Sequence, residues 1–278
     1  GRGGSYEQLR RRAYALATLY DTLPDAPEHK EHDAHLLVTL FEACGSTLRV
    51  DPTFFSVWFG SLYGRLFCAM EKKRFPVGMS EEDLSVLRTA IQGIDERACW
   101  RPIVDYYAEE YERSVDLAKQ GHHEEIIETL RSPQPRAWYA APVRFYEGWR
   151  VSRLISQMKE GYGKSYVDFV NSNGFHRWGE TERWLPSRLL ASFVICRDQL
   201  ARSESLNNVL LAAIDADLAL RAGQPYEEAA ALVAAYTDGD YGAPLRLKQD
   251  GDMNVITWRF TDIYGNYEDS ATYTWPAR

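Results

Sequence analysis

The chain has 278 residues, 45% of them hydrophobic and 26% charged, which is enough apolar material to bury a substantial core and speaks against a disordered chain. A formal net charge of −8 argues against a sequence-independent nucleic-acid binder, because such proteins draw their affinity from basic surface. The four cysteines, Cys44, Cys68, Cys99 and Cys196, form no C-x-x-C pair, so neither a zinc ribbon nor a thioredoxin-like motif is expected. Their apolar helical contexts point to buried free thiols.

In chain order, "GRGGSYEQL" has no initiator Met and no signal peptide, and residues 1–8 are expected to be a flexible lead left where a targeting segment or anchor was cut away. "LRRRAY" carries Arg10, Arg11 and Arg12, either a solvated helix face or a basic flank beside a membrane. "HKEHDAH" places His29, His32 and His35 at i, i+3, i+6. A regular helix cannot bring all three to one ion, so no metal site is expected there. From Leu36, apolar residues fall at Leu36, Leu37, Leu40, Phe41 and Cys44, one buried helical face, with Gly45 as its stop.

Asp51 and Pro52 restart a helix as N-cap and first helical residue. Its apolar run "FFSVWFGSLYGRLFCAM" is too short and too polar to span a bilayer and reads as a buried helix, whose Gly60 and Gly64 would let a neighbour approach closely. "SEED" at Ser80–Asp83 is a capping-box-like start, and Pro102 is expected to kink or restart the following helix. In that helix, "DYYAEEYERS" offers the best catalytic carboxylates, Glu110 and Glu112. A buried Glu110 would suit a general acid, but glycoside hydrolysis needs a second carboxylate across a cleft. "GHHEEIIETL" reads as a polar helix start, with His122 and His123 after the Gly121 turn.

Two aromatic runs, "RAWYAAPVRFYEGWR" and "FHRWGETERW", supply Trp138, Tyr139, Trp149, Trp178 and Trp184. Exposed rings near segment ends would serve glycan or peptide binding. An amphipathic helix is expected over 142–159, another opening at Pro186, another from a Ser205 cap to Gly223, and a short one in "QPYEEAAALVAAY". The period then changes to two. "PLRLK" and "NVITWRF" flank an Asp250-Gly251 turn, and "SATYTW" follows a Gly265-Asn266 turn. Asp250, Asp252 and Asn254 match the start of a calcium loop, but Val255 stands where Gly is required, so a plain hairpin turn is expected.

The fold class expected is therefore mainly α, an irregular array of antiparallel helices with a small three-stranded antiparallel sheet at the C-terminus. The boundaries read as a lead over 1–8, a helical domain over 9–236 and a β appendage over 237–278 that must lean on the helices.

The order "HLLVTLFEACG", "DPTFFSVWFGSLYGRLFCAM", "SEEDLSVLRTAI", "EEYERSVDLA", then "LLAAIDADLALRAGQPYEEAAALV" and "YGAPLRLKQDGDMNVITW" resembles a diffuse set of uncharacterised bacterial envelope proteins that look membrane-anchored at the N-terminus. Its tail is similar to the C-terminal part of type II secretion pseudopilins. This chain has Gln224-Pro225-Tyr226 where the set has a Tyr-Pro step. The resemblance implies an extracytoplasmic domain, membrane-attached only through a removed N-terminal anchor, and implies no functional residue.

The reading that follows is a non-catalytic binding or scaffolding protein of the envelope, with an envelope protein or glycan as partner, no nucleic acid, no cofactor and no metal. The alternative is a hydrolase of cell-wall glycan or peptide using Glu110 or Glu112. No G-x-S-x-G, phosphate-binding loop or dinucleotide fingerprint is present.

Overall fold

The structure is a computed structural model that describes residues 2–50, 52–119, 149, 152–153, 155–173, 185–261 and 268–277. It is mainly α-helical with a three-stranded antiparallel sheet at the C-terminus. The helices with described bounds are α1 (Arg2–Thr22), α2 (Lys30–Val50), α3 (Pro52–Lys72), α4 (Glu81–Gln92), α5 (Glu96–Lys119), α6 (Tyr166–Asn173), α7 (Leu185–Arg221) and α8 (Tyr226–Ala234); a single 3₁₀ turn, Pro27–His29, precedes α2. Residues 2–8, read as a lead from the sequence, are the first turns of α1.

Local signals set several boundaries as expected. Pro52 is the first residue of α3. Ser80 caps α4, its hydroxyl accepting the Asp83 amide at 3.0 Å, and α7 ends two residues before Gly223, whose φ of 75° only glycine adopts without strain.

Other signals do not mark boundaries. α2 runs through Gly45, which is buried beside the end of α4: a Cβ there would be in ordinary contact with the Gly93 carbonyl oxygen, at 3.6 Å. Gly45 is thus a packed helical residue rather than a stop. α5 continues through Pro102 without restarting. The two helices expected on either side of Ser205 are one 37-residue helix, α7; the Ser205 hydroxyl donates to the Ala201 carbonyl at 3.0 Å and accepts the Gly239 amide at 2.8 Å. Gly64 is exposed, and nothing would meet a Cβ there, so it is no point of helix approach.

α7 is the axis of the molecule: α3, α4, α5, α6 and α8 all pack on it, while α1 and α4 pack on α2. The sheet comprises β1 (Arg246–Asp250), β2 (Met253–Thr261) and β3 (Glu268–Pro276) in the order β1-β2-β3. β1 and β2 meet at Asp250↔Met253, so the loop between them is Gly251-Asp252, with Gly251 at φ 55°. The Gly265-Asn266 turn lies outside the described residues.

Leu247, Ile256, Trp258, Tyr273 and Trp275 form the buried face of the sheet. The Phe67 ring on α3 lies 5.6 Å from that of Trp258 and 4.8 Å from that of Tyr273, and the Tyr273 hydroxyl donates to the Phe75 carbonyl at 2.9 Å. The hairpin therefore covers the apolar side that α3, α7 and α8 present beyond their own contacts. Burying each such ring is worth roughly 2 kcal/mol or more.

Candidate functional site

Of the aromatic set expected to bind, Trp138, Tyr139, Trp178 and Trp184 lie outside the described residues. Trp149 is 52% exposed, and the Arg153 guanidinium stands 5.7 Å from its ring centre. Glu112 is exposed on α5; the side chain of Glu110 lies outside the described residues, as do His122 and His123. His32 and His35 are exposed on α2, with His29 in the preceding 3₁₀ turn. Asp250 and Asp252 are exposed at the hairpin, whereas Asn254 is buried on the inward face of β2. No three potential ligands among the described residues converge on a metal-sized site. All four cysteines are free thiols; Cys44 and Cys196 are buried, while Cys99 is partly covered and Cys68 is exposed.

The chemistry-bearing groups that sequence reasoning missed are inside the molecule, gathered around one stretch of α7, "RDQLARSESLNN". At its Ser203–Asn207 turn, the Glu96 carboxylate from the start of α5 accepts the Ser203 hydroxyl at 2.7 Å and the Asn207 amide at 2.5 Å, and the Asn207 carbonyl oxygen accepts the Tyr63 hydroxyl at 2.8 Å. Glu96 is 6% exposed, and desolvation pushes its carboxyl up to about 7 despite those hydrogen bonds. Burial, with the Glu96 charge adding to it, raises the Cys44 thiol well above its usual range, so Cys44 is an inert thiol rather than a nucleophile. Next along the helix, Glu204 pairs with Arg97 at 2.6 Å.

A second buried carboxyl, Asp240, sits in the turn between α8 and β1. Its Oδ2 accepts the Thr261 amide at 2.9 Å, and its carbonyl accepts the Val167 amide at 2.8 Å, so it ties the end of β2 to the start of α6. Burial and the neighbouring Asp198 push it up to about 7, against the pull of the Thr261 hydrogen bond and of Arg202, which pairs with Asp198 at 3.1 Å. Both carboxyls can hold a proton near neutrality, yet a substrate would reach neither without opening the fold. What the sequence does signal is their partner: α7 carries many charges, and its apolar residues leave no consistently polar face.

The surface offers a different feature. Between α2 and α4 runs a shallow cleft of about 520 Å³ with an apolar floor that includes Val38, Phe41 and Ala90. Its α2 rim carries Glu42, Ser46 and Arg49, and its α4 rim carries Val86, 51% exposed. Among the described residues neither Glu42 nor Arg49 has an ion-pair partner; the Arg49 guanidinium donates only to the Ser46 hydroxyl, at 3.4 Å.

No family model, curated protein or solved structure matches this chain. The fold and these local geometries are therefore the grounds for a functional reading.

Proposed function

We propose that this chain is a non-catalytic binding or scaffolding protein of the bacterial cell envelope, extracytoplasmic and held at the membrane by a segment preceding it. The observation that carries the binding half is Trp149. A large ring half open to water, with a guanidinium beside it, brings together on the surface two of the side-chain types in which binding hot spots are enriched. The non-catalytic half is supported by the use already made of the perturbed carboxyls: Glu96 and Asp240 accept hydrogen bonds that join helices and strands, and neither opens onto a cleft. The compartment rests on the resemblance of the helix–hairpin order to envelope proteins. No helix among the described residues is long and apolar enough to cross a membrane.

The test is a titration followed by tryptophan fluorescence, with soluble peptidoglycan glycan strands and stem peptides as separate probes. One probe is expected to saturate, and Trp149→Ala to weaken it about thirtyfold, the effect of losing a hot-spot ring of about 2 kcal/mol. Saturation that Trp149→Ala leaves unchanged removes Trp149 from the site, and turnover of either probe by the unmodified protein overturns the non-catalytic reading. Recovery of the full-length protein in the soluble cytosolic fraction overturns the envelope assignment.

A further inference from the structure

The rim of the α2–α4 cleft is self-complementary, and we infer that it is the two-fold interface of a homodimer. Glu42 and Arg49 are seven residues apart on α2, which places them about 10.5 Å apart along the helix and almost on the same line of its surface. Both are exposed, and neither has an ion-pair partner among the described residues. A two-fold axis perpendicular to α2, passing midway between them, lays a second copy of the helix antiparallel on the first. It sets Glu42 of each copy against Arg49 of the other, so the two charge pairs form together, as an isologous contact requires. A head-to-tail contact would satisfy only one of the two pairs per interface.

The residues near that axis permit the approach. Gly45 has no side chain and is buried beside the end of α4 with the Arg49 guanidinium over it, and Ser46 is small and half-buried at the rim. On either side the apolar surface is also disposed for cover: Val38 and Ala90 on the floor, with exposed Val86 on the opposite rim. The mean composition of the cleft, apolar at its floor and charged at its rim, is that of a protein interface rather than a small-molecule pocket. Opposite charges on one line of one helix make the second copy the best-matched occupant: a foreign apolar segment would leave both charges desolvated and unpaired.

The interface is tested by sedimentation equilibrium of four samples: the unmodified chain, Glu42→Arg, Arg49→Glu, and an equimolar mixture of the two variants. The unmodified chain is expected to show a concentration-dependent monomer–dimer equilibrium that weakens with added salt. Each variant alone sets like charges opposite each other twice over and should dissociate at least about tenfold more readily. The mixture restores both opposite-sign pairs in a heterodimer and should associate again, close to the strength of the unmodified chain. Circular dichroism establishes that both variants are folded; Glu42→Gln and Arg49→Gln, which remove charge without reversing it, replace either one that is not, and each should weaken the dimer less than reversal does. A monomer at every concentration overturns the inference. So does a dimer that ignores both reversals, or a mixture that stays monomeric when each variant is folded. Trp149 lies on another part of the chain, and none of these substitutions touches it.

Discussion

Replacing Glu96 by glutamine should change how the stability of this protein depends on pH more than it changes the stability itself. Glu96 is buried at the start of α5, accepts from Ser203 and Asn207, and has its carboxyl raised from 4.5 to about 7, chiefly by desolvation. Its folded value lies above its unfolded one, so the folded state binds the proton more tightly. The contribution is fully present below about 4.5 and is lost as pH rises through about 7. At 1.36 kcal/mol per unit, with partial ionisation at both ends, this one group costs the folded state about 2.5 kcal/mol between about pH 5 and about pH 8. Asp240, raised from 3.8 to about 7, behaves in the same direction and with similar size, so these two groups together cost about 5 kcal/mol over that interval, and Glu204 and Asp238, also raised by burial, act in the same direction.

Glutamine keeps an acceptor for Ser203 and Asn207 and carries no charge at any pH, so Glu96→Gln should remove the Glu96 share of the pH dependence, about 2.5 kcal/mol, and leave that of Asp240 and the other raised carboxyls. The amide adds a donor that needs a partner, at about 1–3 kcal/mol if it finds none. The variant is therefore expected to be less stable than the parent near pH 5 and equal to it or more stable near pH 8. Urea unfolding followed by tryptophan fluorescence at intervals across that range supplies the curves. Parallel curves for parent and variant, displaced but with the same slope, would refute the reasoning, since they would mean that Glu96 is ionised in the folded protein throughout.

Two other substitutions follow from the packing. Gly239→Ala would bring a Cβ to 2.2 Å from the Ala201 carbonyl oxygen, which is α7 backbone and cannot swing aside. It should cost about 1–3 kcal/mol or more and lower the midpoint of thermal unfolding by several degrees in calorimetry. Lys73→Met should cost about 3–5 kcal/mol, because it leaves Asp33 charged, buried and without the ammonium that now stands 2.8 Å away and 4.2 Å from the Tyr20 ring centre. Adding Asp33→Leu should recover most of that loss in the same chemical unfolding assay, and no recovery would show that the pair itself is not the cause.

The helices were legible wherever a local signal and the tertiary environment agree. Ser80 has a free amide to cap, and Pro52 sits where no amide partner is needed. The strands were legible because alternation is preserved on β2 and β3, whose inward rings meet α3. Gly45 and Ser205 misled for a common reason: each carries a boundary residue type that packing has put to another use. Gly45 is a contact surface for the Gly93 carbonyl, and Ser205 supplies the acceptor for the Gly239 amide. The buried carboxyl sites were not legible, because Glu96 is separated from Ser203 by 107 residues, and Asp240 depends on Thr261 and on Asp198. Along the sequence each of these reads as an ordinary solvated charge, as Glu42 and Arg49 also do.

The partners of α7 explain why a central helix should carry so many charges. Taken by itself, burial of Asp198, Glu204, Asp217 and Arg197 is no gain in stability, since desolvation offsets most of what pairing returns. Yet the polar groups of α7 are answered from different directions: Ser203 and Asn207 by Glu96 at the start of α5, Asp215 by Arg88 on α4, Arg197 by the Lys164 carbonyl ahead of α6, and Arg221 by the Met79 and Pro76 carbonyls beyond α3. The apolar residues of α7 would remain buried if the helix turned or slid by a fraction of a turn, because neighbours surround it. The polar matches would not survive such a movement, and each loss would leave a buried group unpaired at a cost of about 1–3 kcal/mol. Apolar area thus supplies the drive to bury α7, while the polar set selects one rotation and one register for it, and with them the placement of the helices and the sheet that pack against it.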